Sequence, residues 1–332
     1  MTATVIIVTL NRPDCLSRAL EALLAQEHRP EQVVVVDSSR DDRTRRVMER
    51  FPDVLYLSVP EFFGRMTTAR NAGLFYARGE IIAFLDDDAY PHPGWLKNLL
   101  AAYDSPKIGA VGGRALNGQL DEERRGRDNI GRLKPNGFLT GNFAADPGHM
   151  IEVDHLIGCN LSIRREALAR LGGFRDDFRG ISGLCEDTDM CLRVKMLGYT
   201  LRFQPAACVD HVGAPQAIGK RFDSRYQYFH RRNGLVLLVR NFGCSPIVLR
   251  FLFATGAQMV RECFRNVGGA FARLAASAAG MAAGMAYSLL VFRPKGMDPV
   301  RRDPAGQAIR AALETRAEAP PCASSMPALF KD

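Results

Sequence analysis

The stretch Ile81–Ala89, IIAFLDDDA, decides the fold class of this chain. Its first five residues are apolar on both faces of an extended strand, which is typical of a strand that helices cover on both sides. Three aspartates follow at once and place negative charge at the end of that strand. Ligands of open α/β sheets bind beyond the carboxyl ends of the strands. The stretch therefore predicts a buried strand that ends in a ligand site.

The three aspartates should differ in direction. Alternate side chains of a strand share a face, so we expect Asp86 and Asp88 to point together and Asp87 to point elsewhere. Two like charges ~4 Å apart repel by about 4 kcal/mol at an effective dielectric constant of ~20, so the pair needs a cation or a shared proton. A hard divalent ion that also holds diphosphate oxygens would meet that need. The alternative is an acidic turn in solvent, and the position after a buried strand favours the metal.

Strands and helices alternate on both sides of this stretch. Apolar strand runs occupy Thr4–Thr9, Gln32–Val36 and Val54–Leu57, and helical patterns begin at Pro13, Arg43 and Thr68. Such alternation predicts an α/β fold with a mostly parallel central sheet covered on both faces. Residues 1–115 are therefore predicted to form a nucleotide-binding half.

The composition divides the rest of the chain. Residues 116–150 are rich in Gly, Asn and Asp and contain a charge run, which predicts a mobile loop that serves as a lid or binds the acceptor. Residues 151–242 return to strand and helix patterns and form the second half. Residues 243–292 predict amphipathic and apolar helices, and residues 293–332, with their Pro, Ala and Ser, predict a disordered tail.

The composition also excludes several classes of protein. Of the 332 residues, 47% are hydrophobic and 24% are charged, which excludes collagenous and wholly disordered chains. Eight cysteines contain no CxxC pair, and no signal-peptide pattern stands at the N-terminus. We therefore expect free thiols and a cytoplasmic location.

The formal net charge of +8 lies in one segment of the chain. Val212–Arg273 holds ten Lys or Arg against two acidic residues, which accounts for the whole excess. On the helix that follows Ser245-Pro246, basic residues fall opposite an apolar face, as in helices that lie on a membrane surface. Leu274–Phe292 then carries no charge for nineteen residues, about the minimum for a membrane span. We expect peripheral or C-terminal anchoring to an anionic inner leaflet and no nucleic-acid partner.

Further polar residues follow other predicted strands or open helices. Asp37 ends a buried strand and could accept hydrogen bonds from a base or ribose, or serve as a turn or cap residue for the element near Asp41. Glu186 and Asp187 open a helix, where acids usually complement the dipole, but the dipole also favours the ionised form that a general base requires. His211 follows another strand and is either a metal ligand or a structural histidine.

Taken in order, these pieces resemble the family 2 glycosyltransferases with the GT-A fold, a three-layer sandwich. The segments that carry the resemblance are VIIVTLNRPD (Val5–Asp14), VVVVDSSRDD (Val33–Asp42), TTARNAGLFYARGEIIAFLDDDA (Thr67–Ala89), VGGR (Val111–Arg114), GCNLSIRREALARLGGF (Gly158–Phe174), EDTDMCLRVKMLGY (Glu186–Tyr199) and FHRRNGLVLLVRNF (Phe229–Phe242). Together they cover about three quarters of the chain.

The resemblance implies a nucleotide-diphosphate-sugar donor, a Mg²⁺ or Mn²⁺ ion and an inverting transfer to a glycan or lipid-linked acceptor in cell-envelope or exopolysaccharide biosynthesis. It assigns Asp187 as the base, with Glu186 towards the acceptor. It assigns donor binding to Thr9, Asn11, Arg12, Asp37, Arg70, Asp86 and Asp87, and metal binding to Asp86, Asp88 and His211.

Three departures from the family pattern narrow these expectations. Leu10 stands where some members place an aromatic residue over the base, and SSRDD replaces the usual NGSTD after the second strand, which leaves the base open. No QxxRW string follows the helix at Glu186, so transfer of a single sugar is expected rather than polymerisation. A dehydrogenase is excluded because LNRPD lacks the required glycines. A sugar nucleotidyltransferase and a catalytically inactive, membrane-docked scaffold stay open as alternatives.

Overall fold

The computed structural model describes residues 1–178, 180, 184–215, 223–265, 270–291 and 298–315, and within them a nine-stranded sheet lies between layers of helices. The strands are β1 (Ala3–Thr9), β2 (Gln32–Asp37), β3 (Leu55–Ser58), β4 (Ile81–Asp86), β5 (Ala89–Pro91), β6 (Ile108–Leu116), β7 (Ile151–Glu152), β8 (Asn160–Arg164) and β9 (Thr200–His211). The α-helices are α1 (Pro13–Leu24), α2 (Arg43–Met48), α3 (Met66–Phe75), α4 (Trp95–Ala101), α5 (Arg165–Leu171), α6 (Glu186–Met196), α7 (Ser224–Phe242), α8 (Pro246–Arg265), α9 (Ala270–Val291) and α10 (Pro304–Thr315).

The sheet has a parallel half and a mixed half. Its order is β3-β2-β1-β4-β8-β6-β9-β5, and β7 pairs with β9. The first four strands are all parallel, as predicted. β8 runs antiparallel to both β4 and β6, whereas β6 and β9 are parallel. The α/β class with a central sheet is therefore confirmed, and the sheet is parallel from β3 to β4 and mixed beyond β4.

The central strand β1 feeds two separate hydrophobic cores. Ile6 packs in the core that contains α3 and α5 residues, while Val5 and Ile7 pack in the core on the other face, with α1 and α4. Both faces are buried because successive side chains of a strand point in opposite directions. This arrangement explains the uninterrupted apolar run, and it makes three layers of helix, sheet and helix.

The carboxyl ends of the parallel strands meet at one edge of the sheet. Thr9 lies opposite Asp37 in register, and Val8 lies opposite Asp86. The acidic residues that follow β2 and β4 are thus brought to the same edge as the loop after β1. That edge positions the candidate site.

The long segment 117–150 has little regular structure, yet it is packed on the rest of the chain. Ile130 and Phe143 are buried in the core beside α5 and α6 residues. Gly131 and Gly141 are joined by a backbone hydrogen bond of 3.0 Å, which closes a loop within the segment. The segment is therefore folded, and its mobility stays a prediction.

Helices α7, α8 and α9 form a C-terminal layer. A Cβ placed on Gly280 would stand 2.3 Å from the carbonyl oxygen of Tyr228, and one on Gly284 would stand 3.0 Å from that of Arg232. The two glycines therefore let α9 approach the backbone of α7. None of the helices in the described residues combines the length and apolarity needed to cross a membrane.

Helix α10 corrects the prediction that residues 293–332 form a disordered tail. Its Ile309 and Leu313 are buried in the same core as Ile6 of β1. The connection before it is also held, because Arg193 donates to the carbonyl oxygen of Pro299 at 2.6 Å. The prediction was wrong for residues 298–315 because a few apolar residues at helical spacing outweigh the polar average of the segment.

Candidate functional site

Two arginines compensate the charge of the acidic triplet. Arg70 of α3 donates to Asp86 at 3.1 Å, and Arg12 pairs with both Asp87 and Asp88. Repulsion between the neighbouring carboxylates requires a positive charge close to them. Guanidinium groups supply much of that positive charge from within the chain.

Asp87 is fully buried. Its carboxylate accepts hydrogen bonds from the hydroxyl of Thr9 at 2.8 Å and from Nε of Arg12 at 3.1 Å. Burial raises the pKa of Asp87 to about 7 although Arg12 opposes this shift. Thr9 and Asp87 thus join the ends of β1 and β4, and Arg12 is held beside the site while a quarter of its side chain stays exposed.

Asp88 connects the triplet to β9. Its Oδ2 accepts from the backbone N–H of Ala214 at 2.8 Å, and its Oδ1 lies 3.4 Å from Nε2 of His211. Burial alone would raise the pKa of Asp88, but the adjacent imidazole, Arg12 and this N–H lower it to about 2. Asp88 is therefore an ionised carboxylate that faces the imidazole.

The surroundings of His211 fit a cation. Both ring nitrogens of His211 are buried, and among the described residues neither makes a hydrogen bond of good geometry, although Asp88 lies 3.4 Å from Nε2. A carboxylate oxygen of Asp86, a ring nitrogen of His211 and the sulfur of Cys159 all lie within 4.8 Å of one another. Buried polar atoms without partners are costly, and an ion bound among these donors would satisfy them. The predicted ligands Asp86, Asp88 and His211 are thus brought together.

Arg70 also connects the strand end to helix α6. It donates to Oε1 of Glu186 at 2.7 Å, and both side chains are almost fully buried. Burial raises the pKa of Glu186 well above its usual range, as does the charge of Asp187, and Arg70 opposes both effects. Glu186, predicted to approach the acceptor, is 4% exposed and bonds to Arg70. Arg70, predicted to contact the diphosphate, is equally enclosed.

Asp187 lies beside Glu186 in the first turn of α6 and is partly exposed. Its Oδ2 accepts from the backbone N–H of Gly158 at 2.9 Å, and its Oδ1 accepts from that of Thr188 at 2.6 Å. A Cβ on Gly158 would stand 2.9 Å from Nη2 of Arg70. Gly158, which has no side chain, therefore lies between Asp187 and Arg70. This arrangement places Asp187, the candidate base, near the cluster that contains Asp86.

Asp37 ends β2, and Asn11 lies in the loop that follows β1. Asp37 is buried and accepts from the backbone N–H of Ser39 and from the hydroxyl of Tyr56, each at 2.8 Å. Asn11 adopts a left-handed backbone with φ of 57° and donates its N–H to Ser39 Oγ. These contacts of Asp37 are typical of a turn residue. Its role in binding the nucleotide-sugar donor stays a prediction.

Sequence reasoning missed Cys159 and Gly158. Both stand in the segment GCNLSIRR, which was identified for its strand and helix pattern and not for its side chains. The signal that could have found them is their place directly before a strand that pairs with β4. A residue there lies next to the strand that ends in the acidic triplet.

The chain is similar in sequence to a known family and to several of its members. The model of the family described as Glycosyl transferase family 2 matches residues 4–172, a little over half of the chain. The glucosyl-dolichyl phosphate glucuronosyltransferase of Haloferax volcanii is 27% identical over 228 residues, which are 64% of this chain and 69% of that protein. The succinoglycan biosynthesis protein ExoM of Rhizobium meliloti is 29% identical over 219 residues, 63% of this chain and 66% of that protein.

A solved structure resembles the whole architecture. The mannosyltransferase PcManGT from Pyrobaculum calidifontis, in complex with GDP-Man and Mn²⁺, aligns with a TM-score of 0.53 and 22% identity. The alignment covers 95% of this chain and 85% of that chain. This likeness shows that the fold is of the GT-A type expected from the sequence.

Proposed function

The chain belongs to glycosyl transferase family 2, and on this premise we propose that it transfers a single sugar, with inversion, from a nucleotide-diphosphate-sugar to a hydroxyl group. The acceptor is a glycan or a lipid-linked sugar of cell-envelope or exopolysaccharide biosynthesis. Relatives named for a glucosyl-dolichyl phosphate and for succinoglycan support this acceptor class. The observation that carries the proposal is that Asp187 accepts from the backbone of Gly158, Gly158 has room for no side chain beside Arg70, and Arg70 donates to Asp86.

The donor side of the site is the edge formed by β1, β4 and β9. Asp86, Asp88 and His211 would hold a divalent cation, and the structural neighbour PcManGT binds Mn²⁺ with its nucleotide-sugar. When bound, such an ion neutralises the charge that develops on the leaving diphosphate. Arg12 is the partly exposed guanidinium beside this edge and is placed to approach the donor.

The acceptor side is the first turn of α6. The backbone N–H groups of Gly158 and Thr188 orient the carboxyl group of Asp187 at the start of the helix. An ionised, oriented carboxylate can take the proton of the acceptor hydroxyl as that oxygen attacks the anomeric carbon. One displacement from the face opposite the diphosphate inverts the configuration. Glu186 acts as a positioning residue, because it holds Arg70 and not the acceptor.

The experiment is a comparison of Asp187→Asn with Asp104→Asn, a matched change at an exposed carboxylate outside the site. Release of nucleoside diphosphate is measured with a panel of nucleotide-sugars, Mn²⁺ and an extract of lipid-linked acceptors. We expect Asp187→Asn to lose roughly 10²–10⁴-fold in turnover while Asp104→Asn keeps wild-type turnover. Unchanged turnover in Asp187→Asn would contradict the base assignment. A wild-type protein that consumes none of the donors would favour the inactive scaffold.

We further propose that α8 docks the enzyme on an anionic membrane surface. Val248 and Phe251 turn towards α7, while Leu249, Phe253 and Val260 share the opposite face and are 58%, 79% and 58% exposed. An apolar stripe that is left exposed after the helix has packed is typical of an interaction surface.

The positive charge beside this apolar stripe favours an anionic membrane as its partner. Arg250 and Arg261 are exposed at about 100° from it around the helix, where they would meet lipid headgroups. Each basic residue near an anionic surface contributes about 1 kcal/mol. A protein partner would not require this flanking positive charge.

Vesicle flotation tests the docking. The wild type should float with vesicles of phosphatidylglycerol and phosphatidylcholine and should dissociate from them at high salt. It should not bind vesicles of pure phosphatidylcholine. Phe253→Ser should weaken the binding, whereas Leu120→Ser, a change at a residue 82% exposed on the 117–150 segment, should not. Equal flotation of the two variants would refute docking through α8.

A further inference from the structure

Cys159 is a donor at the cation site that no sequence motif assigned. It lies directly before β8, is almost completely buried, and places its sulfur within 4.8 Å of a carboxylate oxygen of Asp86 and a ring nitrogen of His211. Among the residues that the structure describes, these are the three potential metal ligands whose donor atoms lie this close together. The group comes from β4, β9 and the residue directly before β8, which are far apart in sequence.

The backbone at Cys159 is held rigidly by its neighbour. Asn160 accepts from the indole N–H of Trp95 at 2.9 Å and donates to the carbonyl oxygens of Arg114 and Ala207 at 2.8 and 2.9 Å. These bonds tie the start of β8 to β6 and β9. The sulfur therefore lies on a fixed element, which is the condition for a precise ligand site.

His211 provides an independent observation that points to a ligand. Its side chain is more than nine-tenths buried, Nε2 lies 3.4 Å from Oδ1 of Asp88, and neither ring nitrogen makes a hydrogen bond of good geometry to the part of the chain that the structure describes. A carboxylate oxygen of Asp86 and the sulfur of Cys159 lie within 4.8 Å of a ring nitrogen of His211. One nitrogen, one oxygen and one sulfur thus face each other.

We propose that Cys159 is a sulfur ligand of this site, so that the site takes zinc-class cations such as Zn²⁺, Co²⁺ or Cd²⁺ in preference to Mg²⁺. Thiolate and imidazole ligands suit such ions, whereas Mg²⁺ prefers oxygen ligands alone. Asp86, His211 and Cys159 would supply oxygen, nitrogen and sulfur to such an ion, with Asp88 beside His211 as a further carboxylate. The inference deepens the proposed function, since it concerns the ion that would face the diphosphate.

The separations are compatible with such an ion. Zinc bonds of ~2.0 Å to nitrogen and ~2.3 Å to sulfur place two tetrahedral ligands roughly 3.5 Å apart. Because the donor atoms lie within 4.8 Å of one another, they would have to close by at most about 1.3 Å to reach that separation. Rotation of the side chains supplies a movement of that size.

Cobalt binding to the full chain tests the proposal without any sugar transfer. Co²⁺ is titrated into wild type, Cys159→Ser and Cys208→Ser under a non-thiol reductant, and the thiolate-to-cobalt charge-transfer absorption is recorded. Cys208 is a matched control, a buried thiol on the same strand as His211. We expect the band in wild type and Cys208→Ser and its loss in Cys159→Ser. Thermal unfolding establishes that Cys159→Ser is folded, and Cys159→Ala provides a second test.

Calorimetry with Cd²⁺ and Mg²⁺ gives the second measurement. Cys159→Ser should weaken Cd²⁺ binding by about tenfold or more and change Mg²⁺ binding much less. Equal losses for both ions, or a cobalt band that survives in Cys159→Ser, would overturn the sulfur ligand. The band is independent of the reaction, so a cobalt band that depends on Cys159 supports the inference even in a chain that transfers no sugar. Conversely, sugar transfer by a chain that shows no such band would support the proposed function and contradict this inference.

Discussion

Arg70 and Glu186, 116 residues apart in sequence, form a buried ion pair of 2.7 Å. The same guanidinium donates to Asp86 at 3.1 Å. Arg70 therefore fixes the first turn of α6, which carries Asp187, against the end of β4. The distance between the cation site and the base candidate depends on this one side chain.

Replacement of Arg70 should be strongly destabilising. Arg70→Met leaves Glu186 buried without its cation, which costs about 3–5 kcal/mol in the free energy of unfolding. The loss should grow as the pH rises, because burial already raises the pKa of Glu186 and the protonated form escapes the charge penalty at lower pH. Urea unfolding at two pH values measures both effects.

Arg46→Met is the control for Arg70→Met. Arg46 forms a 2.6 Å ion pair with Asp42 in which both side chains are exposed. Such surface pairs contribute about 0–1 kcal/mol. A cost for Arg70→Met as small as that of the control would show that the buried pair does not hold α6 in place.

His155 should make stability fall in mildly acidic solution. Burial lowers its pKa from 6.5 although Asp187 opposes the shift, and its ring bonds to the carbonyl oxygen of Thr140 at 3.0 Å. The unfolded chain therefore binds a proton below pH 6.5 that the folded chain does not bind, so this group's contribution is present above that pH and is lost as the pH falls.

The pH dependence of the unfolding free energy in wild type and His155→Gln isolates this contribution. The wild-type curve should be steeper between pH 6.5 and 5, by at most about 1.4 kcal/mol per pH unit. His28→Gln, a change at an exposed histidine, should leave the curve as it is. Parallel curves for His155→Gln and wild type would contradict the prediction.

Ile309→Ala should destabilise the whole domain rather than a local tail. Ile309 of α10 is fully buried in the core beside α3 and α5, so its truncation should cost about 2–5 kcal/mol. Leu289→Ala, at a residue 74% exposed on α9, should stay within about 0.5 kcal/mol of wild type. Similar unfolding midpoints for the two variants would show that α10 contributes no core packing.

The first half of the fold was predictable because its signals are local. The apolar runs at residues 4–9 and 81–85 lie within β1 and β4, and α1 begins at Pro13 as expected. Strands buried on both faces need continuous apolar sequence, and proline suits the first turn of a helix. Sequence patterns of this kind do not depend on distant residues.

The site was predictable as a set of carboxylates but not in its contacts. Which carboxylate meets Arg12 and which meets Arg70 depends on strand twist and helix position, which no local pattern records. Cys159 was missed for the same reason, since its partners Asp86 and His211 lie on other strands. Helix α10 was missed differently, because Ile309 and Leu313 already stand at helical spacing within a segment judged by its average composition.

The packing of α10 also determines when the domain can complete its core during translation. This helix covers α3 and α5, so a nascent chain exposes the apolar sides of residues 66–75 and 165–171 until residues 304–315 have left the ribosome. Uncovered surface of this kind promotes aggregation and recruits chaperones during translation. Shortened recombinant versions that stop before residue 304 should therefore accumulate as inclusion bodies, even though they retain every residue assigned to the donor, the cation and the base.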